Sequence, residues 1–248
     1  MSLKALEAAR GCEAVFAEFY TAVPSGTTVE KLEARIGKRI TVLKREEVES
    51  GEAILEAARR FDCCLLVVGD PLTATTHIEL RLRAKRAGVD TSVVHGASAL
   101  TAVIGLLGLQ HYKFGRTTTL PFPEKGYSPE SPYDMIAENS SRGLHTLVLL
   151  DIQAHKGRLM TANEGLALLA ELEGRKRGGI LTDASLVCVV GRAGSERPVV
   201  RAGPLGALRS EDLGPPHHSI VVPGKLHFME AEALVELAGA PPEIARGP

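Results

Sequence analysis

CCLLVVGDPLTATTHIELRLRAKRA, residues 63–87, decides the fold. Cys63–Val68 is a short apolar run, β-branched at its end and closed by Gly69, which reads as a buried parallel strand. Gly69-Asp70-Pro71 breaks that strand. Thr76-x-x-Glu79 reads as a capping box, and a helix pattern follows to Ala87. A strand thus ends in a turn that leads to a helix N-terminus. In open α/β sheets, ligands bind at such carboxyl ends of strands.

The chain on either side repeats the alternation. Leu3, Leu6 and Ala9 give a helix stripe and Ala14–Phe19 a strand. Thr27-x-x-Glu30 caps a helix that Gly37 ends, Arg39–Leu43 is a strand and Glu52–Arg60 a helix. Thr91–Val94 reads as another apolar strand, ending at His95-Gly96-Ala97-Ser98, and Ala99–Leu107 as an apolar helix. This order predicts a mostly parallel sheet with helices on both faces. The character changes near residue 112, which divides the chain into α/β domains at 1–112 and 113–248. The second begins with strand Thr117–Leu120 and a Pro/Gly/Ser-rich loop, Pro121–Pro132. Helix Tyr133–Ser141, strand Leu144–Leu150 and a helix capped by Thr161-x-x-Glu164 follow. Strands Leu186–Val190, Val199–Ala202 and Ser219–Val222 and the helix His227–Ala238 complete it.

Composition excludes some functions. The 248 residues are 44% hydrophobic and 24% charged with a net charge of −1, as in soluble globular proteins. A near-neutral chain with 4% aromatics and no Trp is not built to bind nucleic acid through a basic or stacking surface. The four cysteines, Cys12, Cys63, Cys64 and Cys188, form no CxxC and read as buried reduced thiols of a cytoplasmic protein. Met1–Gly11 shows no signal-peptide pattern. The longest near-apolar run, Ala99–Leu109, is shorter than the ~20 residues a membrane span requires. Walker A, G-x-S-x-G, H-E-x-x-H and zinc-type Cys/His spacings are absent. His217-His218 alone does not make a metal site.

The string GDPLTATTHIELRLRAKRAGV resembles the diphthine synthases, a branch of the tetrapyrrole-methylase-like S-adenosylmethionine (SAM) methyltransferases. The resemblance covers nearly the whole chain. It continues in VFAEFYT (15–21), HYKFG (111–115), RGLHTLVLLDI (142–152), MTANE (160–164), RAGS (192–195) and VPGKLH (222–227). It implies two α/β domains of the tetrapyrrole methylase type with SAM in the cleft between them and S-adenosylhomocysteine as product. The implied substrate is translation elongation factor 2, methylated on the amino group of a 3-amino-3-carboxypropyl-histidine during diphthamide synthesis. A homodimer is implied, with no metal. The family usually opens with a short strand and a Gly-rich turn, central to the first sheet, whereas this sequence begins at the helix that follows them.

By the resemblance, the cofactor positions are Asp70 and Thr73 of GDPLT, Ser98 and Ala99 of HGASAL, Leu150 of LLDI, Ala193 of RAG, and His218 of PPHHSIVVPG. Read without it, Asp70 is an exposed turn residue, Ser98 a helix N-cap, Leu150 core, and Ala193 and His218 loop residues beside strands. Thr73 and Ala99 replace larger apolar residues, so their contacts are expected through backbone. A sulfonium methyl needs no metal or strong acid to activate it, so missing acid–base motifs do not count against a methyltransferase. Arg81, Arg83, Lys85 and Arg86 make either a solvated helix face or a dock for an acidic protein. The Pro121–Pro132 loop, edged by Tyr127 and Tyr133, is a candidate lid. Two alternatives stand beside this reading: a precorrin methylase, and a non-catalytic interaction protein of the same fold.

Overall fold

The computed structural model describes residues 1–22, 24, 26–124 and 126–246, with backbone alone at 155. The chain forms two compact units, Met1–Ser98 with Ala154–Lys156, and Ala99–Gln153 with Gly157–Pro248.

The first unit runs α1 (Leu3–Gly11), β1 (Ala14–Glu18), α2 (Val29–Ile36), β2 (Ile40–Leu43), α3 (Arg45–Ser50), α4 (Glu52–Ala58), β3 (Cys63–Leu66) and α5 (Ile78–Arg86). Its sheet is parallel throughout, in the order β2-β1-β3, with Val15 opposite Ile40 and Ala14 opposite Cys63. β1 and β3 read as largely apolar runs because side chains from both of their faces are packed against helices. Val15, Ala17, Ile40, Cys64 and Leu66 pack with Ala9 and Ile36 of α1 and α2. Phe16, Leu43, Cys63 and Leu65 pack with Val48, Ile54 and Leu80 of α3, α4 and α5. The period of two sends alternate side chains to opposite helix layers.

Several local expectations shift. The α2 cap is Thr28, whose side chain accepts from Lys31 N–H at 3.3 Å, one residue beyond Thr27. Gly37 ends that helix at φ +80°, a conformation costly for other residues. The Thr76–Glu79 capping box does not form. Helix α5 starts after His77 without a side-chain cap, and Glu79 N–H bonds the Thr76 carbonyl instead. Thr91–Val94 is not a strand: β3 pairs with β1 alone, so the apolar run forms no ladder among the described residues. Of the thiols, Cys188 is buried while Cys12, Cys63 and Cys64 are half-exposed, and all four are free.

The second unit contains α6 (Ala99–Leu106), β4 (Thr118–Leu120), α7 (Ser131–Ser141), β5 (Thr146–Leu150), β6 (Ile152–Gln153) and β7 (Arg158–Leu159). It continues with α8 (Ala162–Lys176), β8 (Leu186–Gly191), β9 (Val199–Pro204), α9 (Leu205–Leu208), β10 (His218–Val222) and α10 (Phe228–Ala238). Its mixed sheet has the order β4-β5-β10-β8-β9, with only β4 and β5 parallel. Val148, Leu150, Val187, Val189 and Ile220 face Ile136, Leu166 and Leu169 of α7 and α8. Leu147, Cys188, Val190 and Val221 face Val103, Ile104 and Leu107 near α6 and Leu234 of α10. Helix α6 therefore belongs to the second core, although it precedes residue 112. Burying each such Leu or Val contributes about 1.5–3 kcal/mol. The Thr161–Glu164 capping box on α8 forms as read.

Two surface readings are revised. Tyr133 lies inside α7, 3% exposed, and its hydroxyl donates to Glu173 Oε2 at 2.9 Å, so it is a core anchor and not the edge of a lid. Lys125 of that loop lies outside the described residues. Part of the basic face of α5 is engaged within the chain: Arg83 donates to the Glu49 and Ser50 carbonyls and Arg81 to Thr91 Oγ1.

Candidate functional site

In the first unit, polar side chains gather where β1 and β3 end. Gly69, at φ +89°, turns the chain out of the β3 region and delivers Asp70. Asp70 is 8% exposed, not the exposed turn residue the sequence suggested. Its Oδ1 accepts from Leu72 N–H and Thr73 Oγ1–H, both at 3.0 Å, and its Oδ2 lies 2.7 Å from His95 Nδ1. The Leu72 N–H, then the His95 ring and the Thr73 hydroxyl, hold the carboxyl down at a pKa of about 2, so it is ionised throughout the physiological range.

The approach of His95 to Asp70 depends on Gly96. A Cβ there would sit 2.2 Å from the Gly69 carbonyl oxygen, which no side chain tolerates. Two glycines thus bring the 69–70 and 95–96 backbones together and set the Asp70–His95 pair. Ser98, three residues after His95, ends the longer segment of this unit.

Beside this pair, at the end of β1, Glu18 is fully buried. It accepts from the Tyr20 and Thr21 N–H groups at 3.0 and 3.1 Å and from the Thr21 hydroxyl. His77 Nε2 lies 3.7 Å from Glu18 Oε1 and 3.4 Å from the Tyr20 hydroxyl, while its Nδ1 meets the Pro71 carbonyl at 3.3 Å. Burial, with Glu18 nearby, pushes the Tyr20 phenol up to about 12. His77 therefore ties the β1 end to the turn that carries Asp70.

Sequence reasoning did not single out Glu18, Tyr20, His77 or His95. The signal was a charged or polar residue closing an apolar run, in VFAEFYT and in SVVHGAS, which the reading passed over.

In the second unit, Leu150 closes β5 and His218 opens β10, and Leu149 pairs with Ser219, so these two are next along neighbouring strands. Gly191, at the end of β8, pairs with His218, and Ala193 follows two residues later. Leu150, His218 and Ala193 thus lie at one end of the three inner strands of the second sheet, while Ala99 starts α6. Leu150 is also core, 7% exposed. His218 is a buried strand residue and not a loop residue. Its Nδ1 accepts from Ala162 N–H and its Nε2 donates to the Leu213 carbonyl, both at 3.1 Å. Burial pushes its pKa down, and this pair of bonds requires the neutral ring.

Among the described residues no helix is long and apolar enough to cross a membrane. A family model described as Tetrapyrrole (Corrin/Porphyrin) Methylases matches residues 1–209. The diphthine synthase of Methanothermobacter thermautotrophicus is 49% identical over 241 residues, covering 97% of this chain and 91% of the relative. That of Methanocaldococcus jannaschii is 49% identical over 94% of this chain and 92% of its own. A diphthine synthase crystal structure superposes with a TM-score of 0.88 at 36% identity, covering 99% of this chain and 93% of that one. With the α/β fold that the sequence predicted and these near-full-length matches, the chain belongs to the diphthine synthases, within the tetrapyrrole methylase family.

Proposed function

We propose that this protein is a SAM-dependent methyltransferase of diphthamide synthesis. Its substrate is translation elongation factor 2, methylated on the amino group of a 3-amino-3-carboxypropyl-histidine. The observation that carries the reading is near-full-length identity of 49% to proteins named diphthine synthase. The precorrin alternative shares the family model, but these relatives favour the protein substrate. The substrate sets a cytoplasmic location.

The residues present fit a cationic cofactor. In the first unit Asp70 is held ionised at the end of a strand, with Thr73 on its Oδ1. Glycine at 69 and 96 keeps the backbone bare there. We assign Asp70, Thr73 and Ser98 of this unit to cofactor binding. In the second unit Ala99, Leu150, Ala193 and His218 carry the family positions, with His218 neutral and fully engaged. Bound SAM would supply a methyl already activated by its sulfonium, so the chain's own part is to bind, orient and desolvate. The deciding experiment incubates the protein with labelled SAM and elongation factor 2 carrying the unmethylated intermediate. Label should appear on the factor, and none after a full incubation would refute the assignment.

We also propose a homodimer. Helix α6 buries Val103 and Ile104 in its own unit, while Tyr112, Phe228 and Met229 are 79%, 69% and 52% exposed. They flank the contact between Lys113 and Glu230 and suit a self-complementary interface. Light scattering should return about twice 26.4 kDa at micromolar concentration. A monomer mass would remove this proposal.

A further inference from the structure

The methyl of the cofactor is ready to transfer, but the acceptor is not. An aliphatic amine at neutral pH is mostly an ammonium, which has no lone pair to attack with, so a proton must leave before each transfer. Resting on the methyltransferase reading above, we propose that His95 Nε2 takes this proton and that Asp70 positions the ring to do so.

Three observations carry the assignment. His95 Nδ1 lies 2.7 Å from Asp70 Oδ2. An ionised carboxylate can only accept, so Nδ1 carries the hydrogen and the neutral ring keeps its lone pair on Nε2. The pair is fixed by backbone, since the space at Gly96 admits no side chain against the Gly69 carbonyl.

The third observation is exposure. The His95 side chain is 73% exposed, which an amino group delivered on another protein requires. Four other described histidines lack this combination. His77, His145 and His218 are buried with both ring nitrogens engaged. His227 caps α10 with its Nδ1.

In the step itself, an N–H bond of the substrate ammonium breaks and its electron pair stays on nitrogen as the nucleophile's lone pair. The proton bonds to His95 Nε2 and then passes to water through the exposed edge.

The test uses the whole protein and three readouts. His95→Ala should lower kcat by about 10²–10⁴-fold, the usual worth of a general base. SAM affinity by calorimetry should stay within twofold. Because the site is open, added imidazole should restore at least a tenth of the lost rate. Nitrogen-15 NMR of the unliganded protein should show the Nδ1–H tautomer of His95, and Asp70→Asn should disturb it. A His95→Ala enzyme with kcat near wild type overturns the proposal. So does a loss explained by weaker SAM binding, or an Nε2–H tautomer in the wild type. If wild-type protein transfers no methyl to the elongation factor, the functional reading itself falls. If wild type and His95→Ala transfer methyl at similar rates, only the base assignment falls.

Discussion

Asp70→Ala should weaken SAM binding by roughly ten- to a hundredfold, the range for losing a charge-assisted contact. It should also lower the melting temperature. The second effect follows from the structure: the carboxylate is 8% exposed and organises its own turn through Leu72 N–H, Thr73 and His95. Removing it leaves those donors to water and frees the 70–73 turn.

Asp70→Asn separates the two effects. The amide oxygen can still accept from Leu72 and Thr73, so most of the stability should return. The amide nitrogen then faces His95 Nδ1, and two donors cannot bond, so the ring must change tautomer or move. If charge matters to the cofactor, affinity stays low in Asp70→Asn while the melting temperature recovers. The pH dependence has a definite sign. The folded pKa of about 2 lies below the ordinary 3.8, so the stabilisation is present above 3.8 and is lost as pH falls toward 2. Calorimetric titration of SAM into both variants checks this. Wild-type affinity in Asp70→Ala together with a large drop in melting temperature would make Asp70 a purely structural turn residue.

What the sequence made legible follows from what is local. The Cys63 strand, the Thr161 cap and the Leu186 strand are each specified within a few residues, by an apolar run or a capping pattern, and each forms. Thr91–Val94 has the same local pattern and forms no ladder, because a ladder depends on a neighbour that the run does not encode. The candidate site divides the same way. Asp70 was visible because Gly-Asp-Pro closes an apolar strand. Its burial and its partner were not, since His95 lies 25 residues away and reaches it only through the Gly69–Gly96 approach. The link between Tyr20 and His77 spans 57 residues and left no local mark beyond polar residues ending strands. His218 looked like a loop residue because its strand starts directly after Pro215-Pro216-His217, residues typical of a turn.

Glu230→Ala should be strongly destabilising. The carboxylate is fully buried at the start of α10. Its Oε1 accepts from Gln110 N–H at 2.9 Å and from His145 Nε2 at 3.1 Å. Its Oε2 accepts from His227 N–H at 2.8 Å and from the Lys113 ammonium. His145, also fully buried, accepts from Gly224 N–H on its Nδ1, so its Nε2–H must go to Glu230. Alanine would leave that N–H, two backbone N–H groups and a largely covered ammonium without their acceptor. Removing one partner of such a buried pair typically costs about 3–5 kcal/mol. At about 2–4 °C per kcal/mol for a chain of this size, the melting temperature should fall by about 10 °C. Glu230→Gln keeps the shape and one acceptor, and should lie between. Burial works to raise the Glu230 pKa, but the His227 N–H, Lys113 and the Gln110 N–H overcome it and hold it near 2. Its stabilisation is therefore complete above the ordinary 4.5 and lost as pH falls toward 2. Burial pushes His145 below its ordinary 6.5, so that residue adds a separate loss beginning as pH drops below 6.5. Melting temperature measured against pH should show both declines in wild type and lose the lower one in Glu230→Ala. A Glu230→Ala protein melting within 2 °C of wild type would mean that water satisfies the whole cluster, and that the burial of this carboxylate contributes nothing to the fold.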